Sequence, residues 1–183
     1  NIFGGGGESS DIDSILTTSA PPSASAPPAG PGPAAQGAPV ALQSVTVQDF
    51  SSQPPDPSTN VNNVITGAAP PWKTDPYMRS PAFGGLKNGL GLLFDVGGSK
   101  AVKTVTIRTA TPGFTVSIRT SPSANPTFAQ TTEVATGNVN RPTTTITIPN
   151  PQASPYLMVW ITSLPQNSQG RYQAEVAQVS MTA

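Results

Sequence analysis

Leu90-Gly-Leu-Leu-Phe-Asp-Val96 closes the longer stretch Pro71-Trp-Lys-Thr-Asp-Pro-Tyr-Met-Arg-Ser-Pro-Ala-Phe-Gly-Gly-Leu-Lys-Asn-Gly-Leu-Gly-Leu-Leu-Phe-Asp-Val-Gly97, and its reading decides the fold. A short apolar run bounded by glycines fits a strand buried on both faces and fits no amphipathic helix. The residues ahead of it read as a loop. Asp75 precedes Pro76 and Ser80 precedes Pro81, and a proline pushes its predecessor out of the α region. The stretch concentrates aromatics, both charge signs and turn glycines in a chain otherwise poor in charge. Trp72, Asp75, Tyr77, Arg79 and Phe83 are therefore placed on a loop beside a central strand, which is where function is expected.

On either side of this stretch the pattern has period two, the mark of half-buried strands. Val45 and Val47 alternate with Thr46 and Gln48 until Gln53-Pro-Pro-Asp-Pro57 ends the run. Asn60 to Thr66 suits either a short strand or a helical turn. Beyond Val96, Gly97-Gly98-Ser99 is expected to turn the chain. Val102, Val105 and Ile107 then alternate with polar residues, as do Phe114, Val116 and Ile118 after the Thr111-Pro112-Gly113 turn. Thr131–Ala135, Thr143–Ile148, Tyr156–Leu164 and Arg171–Met181 complete the series, with Pro165 to Gly170 as the last loop. About eight short strands and no convincing helix predict an all-β fold, a jelly-roll sandwich of two packed antiparallel sheets.

Residues 1–42 read differently. Gly4 to Gly7 is a glycine run, and Ala20 to Ala35 is almost wholly Ala, Pro, Ser and Gly. Ordering each residue costs roughly 1–2 kcal/mol of backbone entropy, and only Ile2, Phe3, Ile12, Ile15 and Leu16 are large and apolar enough to offset it. The expectation is a Gly/Pro-rich linker over 1–42 and one domain over 43–183. Within the linker, Ile12, Ile15 and Leu16 suit a transient helical turn capped by Ser10 or a docking contact, and the Ser and Thr near prolines suit glycosylation. The chain starts at Asn1 rather than Met, so it is expected to be a segment of something longer.

Composition removes whole classes of function. The 183 residues include 10% charged side chains, no His and no Cys. Glu8, Asp11 and Asp13 give residues 1–42 a charge of −3, because no Lys or Arg accompanies them. All nine Lys and Arg and the remaining six Asp and Glu lie in 43–183, giving +3. That is too little, and too scattered, for a nucleic-acid footprint. No apolar run approaches the roughly 18 residues that span a bilayer. Without His or Cys the commonest general base and the most reactive nucleophile are missing, and zinc loses its usual ligands. A glycosidase needs two carboxylates across one cleft, and Asp49, Asp56, Asp75, Asp95, Glu133 and Glu175 show no such pairing in sequence. No enzyme is expected. Calcium takes carboxylates and carbonyls. Asp49 and Asp56 flank a loop, but no Asp-x-Asp cluster is seen, so neither a metal nor a cofactor is expected.

Binding remains. An aromatic face with a few polar groups holds a sugar, and Trp72, Asp75, Tyr77 and Arg79 are the candidate ligand-binding residues. Against this, a Trp is among the largest contributions to a core, Phe83 suits an anchor for the loop, and Asp75 suits a turn cap. Trp160, between Val159 and Ile161, is expected in the core.

Trp72-Lys-Thr-Asp-Pro-Tyr77, Phe83-Gly-Gly-Leu-Lys87, Gly89-Leu-Gly-Leu-Leu-Phe-Asp-Val-Gly97 and Tyr156-Leu-Met-Val-Trp-Ile-Thr-Ser-Leu-Pro165 together resemble the C-terminal extracytoplasmic domain of actinobacterial MviN (MurJ-like) lipid II flippases. The resemblance covers roughly residues 43–183. It implies a galactose-binding-like sandwich akin to carbohydrate-binding modules, on the extracytoplasmic face of the plasma membrane. It also implies a larger parent with a membrane domain, and cell-wall glycan, a peptidoglycan precursor or other cell-wall synthesis proteins as partners. Related receptor kinases carry similar ectodomains. Where such sandwiches often place an Asp-Gly loop that helps hold calcium, this chain has Thr66-Gly-Ala-Ala-Pro70, without the carboxylate.

Overall fold

The computed structural model describes residues 37–183. The expected linker lies outside the described residues up to residue 36, and with it the suggested turn at Ile12 to Leu16 and the Ser/Thr sites. At its end, the Val40 N–H donates to the Met181 carbonyl and the Ala183 N–H to the Ala38 carbonyl, both at 2.9 Å.

Ten strands follow: β1 (Ser44–Gln48), β2 (Trp72–Lys73), β3 (Leu90–Ala101), β4 (Thr104–Arg108), β5 (Phe114–Ser121), β6 (Thr132–Val139), β7 (Thr143–Thr147), β8 (Ala153–Ser163), β9 (Glu175–Val176) and β10 (Gln178–Thr182). They form a five-stranded sheet in the order β1-β3-β8-β5-β6, a three-stranded sheet β10-β4-β7 and a two-stranded ribbon β2-β9. Every pairing is antiparallel. The result is a jelly-roll β-sandwich. The ambiguous Asn60–Thr66 segment becomes a single helical turn, α1 (Asn63–Thr66), ended by Gly67 in the left-handed conformation.

Alternation along β3 explains why its first half, Leu90 to Phe94, is apolar throughout. Leu90, Leu92, Phe94 and Val96 enter the main core between the sheets, with Val105, Ile107, Phe114, Ile118 and Val179. Leu93 faces the other way and joins Met158 and Trp160 in a second cluster, against which Phe50 and Tyr156 pack. Both faces of the strand are covered, as a continuous apolar run requires. Trp160 is buried as expected, but on the outer face of the five-stranded sheet rather than between the sheets. Gly89 and Gly91 make room there, since a Cβ on Gly89 would strike the Trp160 indole and one on Gly91 would lie 2.6 Å from the Met158 sulfur.

One expected feature is corrected. Gly97 and Gly98 do not turn the chain. Both have positive φ (77° and 105°), and they lie in a bulge between Asp95 and Lys100, after which β3 continues pairing with β8. A bulge absorbs extra residues without ending the strand. The Asp95 carboxylate accepts the Gly97 N–H at 2.8 Å and fixes its entry.

Candidate functional site

The loop that follows β2 is built from its buried residues outward. Trp72 pairs with Val176 across the β2-β9 ribbon, is fully buried, and donates its indole N–H to the Pro57 carbonyl at 2.7 Å. Five residues on from Trp72, Tyr77 and Tyr172 exchange two main-chain hydrogen bonds of 2.8 Å, which extends the ribbon beyond its named strands. Phe83 is fully buried and meets the Tyr77 ring edge-on at 5.2 Å between centroids. This makes Phe83 the anchor of the loop. Between these fixed points the backbone winds through left-handed geometry at Arg79, Phe83, Gly84 and Gly85. The Leu164 N–H donates to the Pro81 carbonyl at 2.8 Å and ties the loop to the end of β8.

Beneath the loop lies a buried charge cluster. The Lys87 ammonium donates to the Asp49 carboxylate, to Asp56 at 2.6 Å and to the Pro54 carbonyl at 2.8 Å. The side chains of Lys87, Asp49 and Asp56 are 2%, 7% and 0% exposed, so this is an interior ion cluster rather than a surface pair. Asp56 also accepts the Tyr77 hydroxyl at 2.5 Å and the Asp75 N–H at 2.8 Å. Burial alone would raise the Asp49 carboxyl and lower the Lys87 ammonium. The hydrogen bonds reverse both, those from Lys87 and Ser51 holding Asp49 below the usual carboxylate range and those to the two aspartates holding Lys87 well above its own. Burial and the bond to Asp56 also push the Tyr77 hydroxyl far up, so it stays protonated. The two carboxylates that flank the 50–55 loop thus converge on one ammonium.

Above the cluster, the loop rim borders two depressions separated by Leu86. The first is a cleft of about 620 Å³ lined by Asp75, Pro76, Tyr77, Met78, Arg79 and Arg171, among others. Met78 and Leu86 are exposed there, at 60% and 57%, and give its lining apolar surface. Asp75 is exposed, and partial loss of hydration together with the nearby Asp56 charge pushes its carboxyl up. The second depression, of about 430 Å³, is lined by Phe50, Phe128 and Trp160. These rings stack at tilted or edge-on angles with centroids 5.0–5.8 Å apart, and the Arg119 guanidinium sits 4.3 Å from the Phe128 centroid.

Of the four candidates from sequence, Asp75, Tyr77 and Arg79 come together at the cleft, although Tyr77 is only 8% exposed. Trp72 does not. Its ring and its N–H are both spent inside the core, because completing the β2-β9 ribbon and covering its inner side takes a large apolar group there. The Asp75 side chain makes no turn-capping hydrogen bond among the described residues; its main-chain N–H donates to the Asp56 carboxylate at 2.8 Å instead. Arg171, Lys87 and Phe128 were not singled out. Arg171 reaches the cleft only because Tyr172 pairs with Tyr77, a contact no local pattern signals. Phe128 did carry a signal, as a lone aromatic in a long polar loop.

The sandwich has the galactose-binding-like fold seen in solved carbohydrate-binding modules. The chain is similar to the family 32 module of AlyQ in complex with 4,5-unsaturated mannuronic acid (18% identity, TM-score 0.54, over 78% of this chain and 96% of that one). It is equally similar to chitosan-binding module 1 from a chitosanase/glucanase of Paenibacillus sp. IK-5 (16% identity, TM-score 0.54, over 78% and 97%). Against truncated AlyQ with its module and alginate lyase domains, the chain spans 32% of the length. No family model matches the sequence.

Proposed function

We propose that this chain is a non-catalytic binding module on the extracytoplasmic face of the plasma membrane, the ectodomain of a peptidoglycan-precursor flippase. In this reading it contacts cell-wall glycan or the lipid-linked precursor through the cleft beside the 75–87 loop. The observation that carries it is the cleft itself, whose lining combines apolar surface from Met78 and Leu86 with the polar groups of Asp75, Arg79 and Arg171. Sugar sites combine these two elements. The fold is shared with modules described as bound to a uronic acid derivative or as chitosan-binding, which supports a saccharide as the class of ligand. The flippase assignment rests on the sequence resemblance at Trp72–Tyr77, Phe83–Lys87, Gly89–Gly97 and Tyr156–Pro165.

Chemistry on the ligand has no support in the lining. Asp75 is the one carboxylate on the cleft, whereas glycoside hydrolysis uses two. Asp49 and Asp56 are committed to Lys87 below. Affinity need not be high, because a millimolar site corresponds to about −4 kcal/mol, and tethering near the target supplies a comparable effective concentration.

A second reading, a scaffold recruiting cell-wall synthesis proteins, draws on the placement of Met78, Leu86 and Phe128. These exposed large apolar side chains all border the two depressions. Sedimentation of the full chain with purified peptidoglycan separates the readings. The glycan reading expects pelleting that is lost once the sacculi are digested with muramidase. A chain that stays in the supernatant, yet retains envelope proteins after glycan digestion, contradicts it and favours the scaffold.

A further inference from the structure

Among the described residues, the arginines on the cleft differ from those on the sheets. Arg108 donates to the Gly67 carbonyl and to Gln178, and Arg119 to Thr131, with Glu133 3.7 Å away. The Arg79 and Arg171 guanidinium groups make no hydrogen bond or ion pair among the described residues, and both line the 620 Å³ cleft. Arg79 also holds φ at 74°, a left-handed conformation that costs a non-glycine residue free energy. A strained backbone that presents an unpartnered fork of N–H donors to a cleft is a feature to be explained by what the cleft takes. Cross-strand pairing supplies the second fork, since the bonds between Tyr77 and Tyr172 bring Arg171 alongside Met78 and Arg79.

We infer that this cleft selects a carboxylate-bearing saccharide, its anionic group held by Arg79 and Arg171 and its ring laid on Met78 and Leu86. The inference rests on the glycan-binding reading and narrows it to a ligand class. A planar carboxylate matches the planar guanidinium fork, and charge-assisted bonds of this kind are roughly twice as strong as neutral ones. The Asp75 carboxylate is suited to accept a hydrogen bond from a sugar hydroxyl. Lys87 borders the cleft too, but its ammonium is held by Asp49 and Asp56 and is not available to a ligand. The buried cluster carries one negative charge in excess. Asp56 places that charge against the Tyr77 hydroxyl and the Asp75 N–H, beneath the cleft rather than at its mouth. Recognition here depends on aimed donors, not on net charge.

The test compares two probes on the full chain by amide NMR titration: the disaccharide GlcNAc–MurNAc, and the same disaccharide with its lactyl carboxylate converted to the neutral amide. The acid is expected to bind about tenfold more tightly, equivalent to roughly 1.4 kcal/mol, with the advantage shrinking as salt rises. In Arg79→Gln/Arg171→Gln the two probes should bind alike. Arg79→Gly, which relaxes the backbone while removing the guanidinium, should lose selectivity without losing fold. Equal affinity of the wild-type chain for both probes overturns this inference and leaves the glycan reading standing. Binding of neither overturns both. An advantage for the acid that survives in the double variant overturns the assignment to these arginines.

Discussion

Lys87 shows how much of this domain is decided by single side chains that local sequence does not expose. It lies 38 residues from Asp49 and 31 from Asp56 in sequence, yet one ammonium holds both carboxylates and the loop between them. Removing one member of a buried ion cluster leaves an uncompensated charge, so Lys87→Met should destabilise the domain by about 3–5 kcal/mol. Urea unfolding at neutral pH should show this as a lower midpoint with unchanged slope. A loss below about 0.5 kcal/mol, the scale of ordinary surface substitutions, would mean that the cluster opens to water. The pH dependence follows from the same bonds. Asp49 is held below the usual carboxylate value, so its contribution is present above about pH 4 and is lost as pH falls through the lowered value. Lys87 and Tyr77 are held above their usual values, so theirs is complete below about pH 10 and is lost only as pH rises further. The exposed Asp75, pushed up, opposes the acid loss slightly.

At the scale of elements the strands were legible, because period-two alternation reports which face meets the core. β1 and β5 fall where Val45–Val47 and Phe114–Ile118 place them, and β4 falls within the run from Val102 to Arg108, whereas the single strand expected over Arg171–Met181 is divided into β9 and β10. Two features escaped that signal. The glycine pair after Val96 carries the chemistry of a turn as well as of a bulge, and only the continued pairing of Lys100 with Ser154 decides between them. The second cluster escaped too, since an apolar run without alternation does not say which of its residues face outward. Gly89 tests this outer layer. A Cβ there meets the Trp160 ring, so Gly89→Ala should cost about 1–3 kcal/mol by overpacking. Thermal unfolding reads it directly, and an unchanged midpoint would show that the indole moves aside freely.

For the whole molecule, the sandwich, the loop and the cleft form one chain of causes. Trp72 and Phe83 hold the loop against the core, the Lys87 cluster supports it from below, and Tyr77 pairing with Tyr172 brings Arg171 to a rim that already carries Asp75 and Arg79. Sequence singles out this loop because turn residues, both charge signs and aromatics coincide there. It could not separate the ring that is spent in the core from the one that reaches the cleft, since Trp72 and Tyr77 carry the same signal until burial is known. The most direct test of the binding role is an amide NMR titration of the full chain with muropeptides. Resonances between Asp75 and Lys87, with Arg171, should shift in a saturable way, whereas no movement among them at about 10 mM ligand, weaker than any millimolar site allows, would contradict it.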